Sequence, residues 1–430
     1  MIRSVIFLLT LIFALTGCSL FGDEDNSEPP AELESFDKQV RLRSLWSRGT
    51  GDGTDEQLVK LVPVVVGERI YAADRNGSVW AYELEKGKRI WHSKTGVAIS
   101  AGPGVGEGLV LVGSSEADLV AVSAENGEQL WRTSVSSEVL SVPQIYEDVV
   151  VVQTVDGNIA GLDAESGERI WIHDRSAPVL TLRGTSTPLV EEGLVMAGFA
   201  NGKMTALEVE SGRQIWEAAV AISRGRSELQ RIVDIDVDPV IKDGVLYVTS
   251  YQGSLVAISL QDGRQIWNRD MSAYAGIAVD RQQVYISDAD SEVWALDRRS
   301  GASLWKQDKL RRRSLTGPTV IDDYVAVGDF AGYIHLLSRA DGSIVGRVRV
   351  DSDGIQVPPA ALSGNRLLVL GAGGKLAFYP IERLRASFAP QVRESAPVIA
   401  VRRLPGGVEV VDGRGGRFRF DAVVMRRMPI

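Results

Sequence analysis

Residues 162–171 read LDAESGERIW, a segment in which a glycine precedes a tryptophan by four residues. The same spacing recurs along the chain at Gly87/Trp91, Gly127/Trp131, Gly167/Trp171, Gly212/Trp216, Gly263/Trp267 and Gly301/Trp305. Successive tryptophans are 40, 40, 45, 51 and 38 residues apart, a period that suits a four-stranded propeller blade better than a two-helix repeat. The fold is therefore decided by a structural repeat.

Each repeat carries the signals of short antiparallel strands. Alternating apolar runs such as Val149 to Thr154 are separated by Asx-Gly pairs, at Asn76-Gly77, Asp156-Gly157 and Asn201-Gly202. Such pairs favour hairpins with type I′ turns, whose two central residues both have positive φ. The helical period is hard to find after the first twenty residues, so the chain is expected to be all-β.

The middle strands of the repeats indicate eight blades. We place these strands at Arg69 to Asp74, Leu109 to Gly113, Val149 to Gln153, Leu194 to Gly198, Val245 to Thr249, Gln283 to Ser287, Tyr324 to Gly328 and Arg366 to Leu370. The seventh repeat has Gly346 where tryptophan is expected, and the eighth ends at Pro380 without an outer strand. We predict that Arg43 to Trp46 supply this strand, because an unpaired sheet edge is a template for aggregation.

The prediction is thus an eight-bladed β-propeller of four-stranded antiparallel blades, spanning residues 39–382 and closed by an N-terminal strand. The recurring tryptophans admit two interpretations, packing between blades or a platform for stacking a ligand. Packing is favoured, because a large aromatic residue at a fixed repeat position buries much apolar area wherever it recurs.

Charge is unevenly distributed along the chain. The net charge of −9 argues against a general nucleic-acid binder, yet residues 381–430 hold ten arginines against five acidic residues. Residues 383–430 are predicted to be a basic C-terminal extension. We expect this extension to be either disordered or folded as one hairpin of Val408 to Val411 and Arg417 to Phe420.

The N-terminus indicates export. An apolar stretch from Val5 to Leu15 is too short for the roughly 20 residues of a membrane span, so residues 1–17 are expected to be a signal peptide. The tetrapeptide ending at Cys18 resembles a bacterial lipobox, which implies that Cys18 is lipidated, palmitate included. Because Ser19 follows it, the chain resembles lipoproteins sorted to the outer membrane. The polar residues 18–38 are predicted to be a flexible, lipid-anchored tether.

This lipoprotein signal, together with eight propeller repeats of the Gly-x-x-x-Trp type, resembles the BamB family over roughly residues 15–380. The resemblance implies a non-enzymatic scaffold without cofactors on the periplasmic face of the outer membrane. It also implies BamA as the partner and, through BamA, the rest of the outer-membrane assembly complex, with unfolded outer-membrane proteins as a further candidate. Segments such as residues 162–171 are also similar to repeats of quinoprotein dehydrogenases, so an enzyme dependent on pyrroloquinoline quinone is the alternative. Those enzymes commonly carry a vicinal disulfide, whereas Cys18 is the only cysteine here.

Two irregular links point to a functional surface. From the repeat tryptophan to the first proline of the next blade the ordinary distance is 12 or 13 residues, but it is 17 from Trp171 to Pro188 and 23 from Trp216 to Pro239. Both insertions join the outer strand of one blade to the inner strand of the next. They are therefore expected on the same face of adjacent blades, where a rigid scaffold commonly carries binding loops.

In the BamB family, Leu-x-Leu-Arg and Asp-x-Asp segments contact BamA. Carried over to this sequence, the resemblance implies partner-binding roles for Leu180, Leu182, Arg183, Asp234 and Asp236. The alternative is that the aspartates satisfy backbone groups at the mouth of the propeller while the leucines are strand core. The pattern Asp234-x-Asp236-x-Asp238 also resembles half of a calcium loop, but the required glycine and distant glutamate are missing, so no metal is expected.

The remaining polar motifs point to no catalytic site. The three histidines are far apart in sequence, so spacing assembles no catalytic cluster and no catalytic residue is assigned. Arg311-Arg312-Arg313 falls in a blade connection. It is most simply a solvated turn, with a contact to an acidic partner or to lipid headgroups as the alternative.

Overall fold

The computed structural model describes residues 28–175, 184–222, 232–251, 253–273 and 275–384, and the backbone of three further strands between 398 and 421. Strands and turns make up these ranges, which contain no helix able to cross a membrane. Eight antiparallel blades follow one another along the chain, and the closing strand is N-terminal. The predicted eight-bladed propeller is confirmed.

Every blade has an inner strand, two middle strands and an outer strand. The inner strands are Val64–Val66, Ile99–Gly106, Gln144–Tyr146, Leu189–Glu191, Val240–Lys242, Ile277–Val279, Thr319–Ile321 and Ala360–Leu362. The second strands are Arg69–Ala73, Leu109–Ser114, Val149–Gln153, Leu194–Gly198, Val245–Thr249, Gln283–Ser287, Tyr324–Gly328 and Arg366–Leu370. The third strands are Ser78–Glu83, Asp118–Ser123, Ile159–Asp163, Lys203–Glu208, Ser254–Ser259, Val293–Asp297, Tyr333–Ser338 and Lys375–Arg383. The outer strands are Arg89–Lys94, Gln129–Ser134, Arg169–His173, Gln214–Ala219, Gln265–Asp270, Ser303–Gln307, Ile344–Arg349 and, for blade 8, Val40–Leu42 with Trp46–Gly49.

The hairpins at the Asx-Gly pairs are present, but their turn type differs from the prediction. Gly77 has a φ of +84°, whereas Asn76 is not among the non-glycine residues with positive φ. The Asp74 amide donates to the Ser78 carbonyl at 3.0 Å, which closes a three-residue loop around these positions. Such a loop is commonly a type I turn followed by one left-handed residue, here the glycine. The prediction of type I′ turns was therefore wrong.

The recurring tryptophans join neighbouring blades. Each indole Nε1 donates to a backbone carbonyl of the following blade at 2.8–3.1 Å. The pairs are Trp46 with Leu84, Trp91 with Ala124, Trp131 with Ala164, Trp171 with Val209, Trp216 with Leu260, Trp267 with Arg298, and Trp305 with Arg339. The packing interpretation is confirmed, because every one of these indoles lies in a seam between blades.

The glycine of each motif faces the tryptophan of the preceding blade. A Cβ atom placed on Gly167 would lie 2.7 Å from Cε3 of Trp131, closer than real carbon contacts allow, and Gly167 also has a φ of +74°. The same relation holds between Gly127 and Trp91, at 2.5 Å. The glycine and the tryptophan of one Gly-x-x-x-Trp motif therefore serve two different seams.

The N-terminal residues close the ring, as predicted, although with different strand bounds. Val40–Leu42 pairs with Ile381 to Arg383, and Trp46–Gly49 pairs with Lys375 to Phe378. The predicted strand of Arg43 to Trp46 is therefore replaced by two segments of three and four residues. Blade 7 has Gly346 in place of a tryptophan, and a Cβ there would lie 2.5 Å from Cγ2 of Val40. The closing strand therefore fills the one seam that lacks an indole.

Residues 28–39 form an N-terminal strap along blades 6 and 7. The Ala31 amide donates to the Arg311 carbonyl at 3.0 Å, and Leu33 packs against the apolar core that these two blades share. The predicted tether of residues 18–38 therefore makes defined contacts in its described part. Its first ten residues, Cys18 among them, lie outside the described ranges.

The arginine run in the link between blades 6 and 7 holds this strap. Arg313 is only 6% exposed, and its guanidinium pairs at 2.7 Å with the buried carboxylate of Asp329. It also donates to the Ala31 carbonyl at 3.0 Å, while Arg312 pairs with the Glu28 carboxylate at 3.0 Å. The interpretation of the arginine run as a solvated turn is therefore wrong for Arg313.

The outer strands of the first seven blades share a β-bulge. In blade 2, Ala121 lies opposite Trp131 but Val122 lies opposite Gln129, which leaves Leu130 without a partner position and 51% exposed. The register shifts at the corresponding place in the other six blades. Bulges of this kind interrupt the regular ladder at an exposed sheet edge.

The C-terminal residues 384–430 form a separate compact unit. Its strands are Val398–Leu404, Gly407–Asp412 and Arg417–Asp421, paired in this order as an antiparallel sheet. The second and third of them contain the two runs that the sequence indicated as a hairpin. The assignment of residues 383–430 as an appendage stays a prediction.

Substitution of a motif glycine tests the seam directly. We expect Gly167→Ala to lower the free energy of unfolding by about 2–4 kcal/mol, because the methyl group meets both an unfavourable φ and the Trp131 ring. Gly193→Ala is the matched control, since Gly193 has nearly the same φ, +75°, but open space around its Cβ position. The control should cost only about 1–2 kcal/mol.

Urea unfolding of the two variants measures the difference. Equal losses of stability in both variants would contradict this prediction. They would mean that glycine is required at these positions only for the positive φ of the turn, and that the contact with the indole ring adds no requirement.

Candidate partner-binding site

The two long links meet. The first runs from His173 to Leu189 and the second from Ala219 to Val240, and the structure describes their last parts from Gly184 and Ile232 onward. Across the gap between them, the Thr187 amide donates to Oδ1 of Asp238 at 2.5 Å. The described ends of the two insertions therefore lie side by side, as their spacing predicted.

The aspartates of the second link differ in exposure. Asp234 is 1% exposed, Asp236 is half-buried and Asp238 is exposed. The Asp236 carboxylate lies against Gly184, where a Cβ atom would be 2.8 Å from its Cγ. Since Gly184 directly follows Arg183, the acidic segment lies beside the described end of the first link. Leu180, Leu182 and Arg183 themselves lie outside the described residues.

The alternative role for the aspartates, satisfying backbone groups, is filled by a residue that the sequence analysis did not assign. It is the Asp238 carboxylate that accepts the amide hydrogen of Thr187. The backbone carbonyl of Asp234 accepts from the Tyr251 amide at 2.9 Å. The assignment of Asp234 and Asp236 to partner binding stays a prediction.

The ionisation of Asp236 is strongly perturbed. Burial, together with the nearby Asp234 carboxylate, raises the pKa of Asp236 to about 7, while the Lys60 ammonium opposes this rise. Two carboxylates held close together in a poorly solvated place disfavour each other's charge. Near neutral pH, Asp236 is therefore poised between its neutral and charged forms.

A small cavity of about 30 Å³ opens beside Asp236. Gln153, Arg175, Phe199 and the backbone of Gly184 are among the groups that line it. Gln153 is 2% exposed and donates from Nε2 to the Gly198 carbonyl at 2.8 Å. A cavity of this size holds about one water molecule, so it fits a polar contact rather than a small-molecule cofactor.

Arg175 fixes the start of the first link on blade 4. Its guanidinium forms an ion pair with Glu217, donates to Oγ1 of Thr205 at 2.9 Å and lies 4.8 Å from the ring centre of Phe199. Burial opposes the ionisation of Glu217, but hydrogen bonds from Lys203 and Arg175 outweigh it and lower the pKa of Glu217. The link thus leaves blade 3 in a defined direction before its undescribed residues begin.

Lys60 was not found by the sequence analysis. Its Nζ donates to Oδ1 of Asp238 at 2.7 Å and to the Thr185 carbonyl at 3.0 Å, so one ammonium group touches both links. Lys60 belongs to the link between blades 8 and 1, and its partners lie 125 and 178 residues further along the chain. No local sequence signal marks such a contact.

Asp234, Asp236 and Asp238 have a spacing like that of a calcium loop, but in the described residues they are not arranged as a group of metal ligands. In the described ranges, no group of three or more His, Cys, Asp or Glu side chains is arranged to hold a metal ion. Asp238, the third aspartate, is bound instead to Lys60 and to the Thr187 amide.

Solved structures with the same architecture include BamB from Moraxella catarrhalis, with a TM-score of 0.72 and 28% sequence identity, covering 79% of this chain and 100% of that one. The quinohemoprotein alcohol dehydrogenase of Comamonas testosteroni aligns with a TM-score of 0.63 over 84% of this chain and 78% of that one. Its sequence identity is only 13%, so this second likeness concerns the fold alone.

Sequence relatives distinguish between a BamB-type assembly factor and a quinoprotein dehydrogenase. The chain is 49% identical over 374 residues to the outer membrane protein assembly factor BamB of Pseudomonas aeruginosa, covering 87% of this chain and 98% of the relative. It is 46% identical to the protein of the same name from Alkalilimnicola ehrlichii, over 80% of this chain and 90% of the relative. A family model described as outer membrane protein assembly factor BamB matches residues 75–307 and 295–417. The chain therefore belongs to the BamB family.

Proposed function

We propose that this chain is a non-enzymatic, lipid-anchored scaffold that binds BamA and assists the folding and insertion of outer-membrane proteins. Membership of the BamB family supports the general role in outer-membrane protein assembly and the association with the outer membrane. The observation that carries the finer proposal is the meeting of the two long links through Thr187 and Asp238, beside a small cavity that Asp236 and Arg175 both line.

The proposed interface combines apolar anchors with one adjustable charge. Leu180 and Leu182 supply the anchors, and Arg183 adds a guanidinium beside them. Asp236 in its charged form accepts a cationic side chain of BamA, and the buried Asp234 acts by tuning that charge. Interfaces often depend on a few such residues at the centre of a surface that excludes water.

Lipidation at Cys18 would hold the propeller close to the bilayer. The ten residues from Cys18 to the start of the N-terminal strap reach at most about 35 Å when fully extended. This length fits a position on the periplasmic face of the outer membrane. Unfolded outer-membrane proteins are the proposed clients, brought near the scaffold by its complex with BamA.

The quinoprotein dehydrogenase alternative has no support beyond the shared fold. The relatives with high identity carry the name of an assembly factor, and the chain is accordingly not assigned as an enzyme.

Charge reversal tests the interface. We expect Asp236→Lys to reduce co-purification with BamA at least tenfold, because a repelled and desolvated charge at an interface costs more than about 1.4 kcal/mol. Asp148→Lys is the matched control, since Asp148 is exposed in a turn of blade 3 between its inner and second strands. Thermal unfolding, compared for both variants, separates binding from folding.

Undiminished co-purification of folded Asp236→Lys would refute the interface. If that variant unfolds, Asp236→Asn, which keeps the shape of the side chain, takes its place. Crosslinking from Leu182 and Asp236 in cells tests the partner and the compartment independently.

The raised pKa of Asp236 makes a second prediction, about stability and pH. The group is a carboxyl whose pKa moves from 3.8 to about 7 on folding, so between these values the folded state holds the proton more tightly than the unfolded state. The free energy of unfolding therefore falls as pH rises from about 4 to 7 and levels off above. The Asp236→Asn variant has no carboxyl at this position and avoids this loss. The free energy of unfolding of the variant minus that of wild type should therefore be roughly 1–4 kcal/mol larger at pH 8 than at pH 5.

Urea unfolding of both proteins at the two pH values measures this change, and titrating groups that do not interact with Asp236 cancel in the comparison. BamA binding should change in the opposite sense, since wild type gains affinity as Asp236 ionises and the variant does not. A stability difference independent of pH would show that Asp236 ionises normally.

A further inference from the structure

We propose that Lys60 is a positioning residue of the partner-binding surface, which it assembles by tying the ends of both long links to the link between blades 8 and 1. This inference rests on the proposed function, because the surface that Lys60 organises is the one assigned to BamA. It adds a third chain segment to a surface that the sequence assigned to two.

The contacts of the ammonium group carry the argument. Nζ of Lys60 lies 2.7 Å from Oδ1 of Asp238, 3.0 Å from the carbonyl of Thr185 and 3.5 Å from Oγ1 of Thr187. Two of these acceptors belong to the first link and one to the second. The same Asp238 oxygen accepts the Thr187 amide, so Lys60 and Thr187 share one acceptor on the second link.

Lys60 can impose a position because its own backbone is fixed. Lys60–Leu61 pairs in parallel with Ala101 and Gly102 on the inner strand of blade 2, and the side chain of Leu61 is buried. The next amide, that of Val62, donates to the Gly102 carbonyl at 3.0 Å. The ammonium therefore projects from blade 2 toward links that belong to blades 3, 4 and 5.

Stability of the fold alone gives little reason for this ion pair. The side chains of Lys60 and Asp238 are 23% and 47% exposed, and ion pairs at such places contribute little to the free energy of unfolding. Ordering of loops before binding has a larger effect, since a partner then meets a surface that needs no further arrangement. Loss of Lys60 should therefore appear in binding before it appears in unfolding.

Lys60 also acts on the charge of Asp236. Among the described residues, the charged groups that act on this carboxyl are Asp234 on its own segment and Lys60 from the link between blades 8 and 1. Arg175 lines the same cavity as Asp236. The lysine favours the ionised form of Asp236, in opposition to Asp234. Removal of its charge should move the ionisation of Asp236 to higher pH, and with it the pH at which BamA binds.

The experiment measures binding of the full mature chain to the purified periplasmic region of BamA between pH 6 and pH 8.5. Lys60→Met should weaken binding roughly threefold to tenfold at pH 7 and shift the midpoint of its pH dependence upward. Lys60→Arg, which keeps the charge, should recover most of this loss. Lys88→Met is the matched control, since Lys88 is exposed in the hairpin between the third and outer strands of blade 1, outside both long links.

The outcomes separate this inference from the function on which it rests. Failure of wild type to bind BamA would remove the proposed function itself. Normal binding by wild type with equal affinity and equal pH midpoint in Lys60→Met would overturn the role of Lys60 alone. A loss that Lys60→Arg does not recover, with no shift of the midpoint, would also overturn it, because such a loss reflects packing rather than charge.

Discussion

The hydrogen bond from an indole to the carbonyl of the next blade is the interaction on which the ring depends. It recurs in seven of the eight seams, and in each of them the ring lies against a glycine that has no side chain to keep it away. Blades of a propeller contact chiefly their neighbours, so a seam that repeats is enough to specify the whole disc. The remaining seam, at Gly346, uses Val40 of the closing strand instead.

The fold was predictable because its signals are local and repeat. The second strand of blade 5, placed at Val245 to Thr249 from sequence, has those bounds in the structure. Errors arose where distant residues decide the outcome. Arg313 is buried because the Asp329 carboxylate and the Ala31 carbonyl accept its hydrogen bonds. Ala31 lies 282 residues away in the sequence, so the residues next to the arginine run do not predict this contact. The turn type was missed because the register of the strands sets the loop length, and the Asx-Gly pair alone does not.

The candidate site was predictable to the level of the links but no further. The longer spacing after Trp171 and Trp216 predicted two adjacent insertions, and the described ends of these insertions do contact each other. The spacing could not show that Asp234 is buried while Asp236 lines a cavity. An alternation of polar and apolar residues does not predict how deeply each side chain is buried. Nor could it find Lys60, whose contacts depend on ring closure. The roles of Leu180, Leu182 and Arg183 still rest on the resemblance to the family.

The N-terminal strap protects the closing strand from a force that pulls on the N-terminus. Tension applied to the chain ahead of Glu28 first meets the ion pair with Arg312 and the bonds of Ala31, before any force reaches Val40 and the ladder of blade 8. A strand held only by its own ladder would be peeled from the edge one residue at a time. Here blades 6 and 7 share the load, so a force on the N-terminal strap reaches the closing strand only after the contacts of the strap have broken.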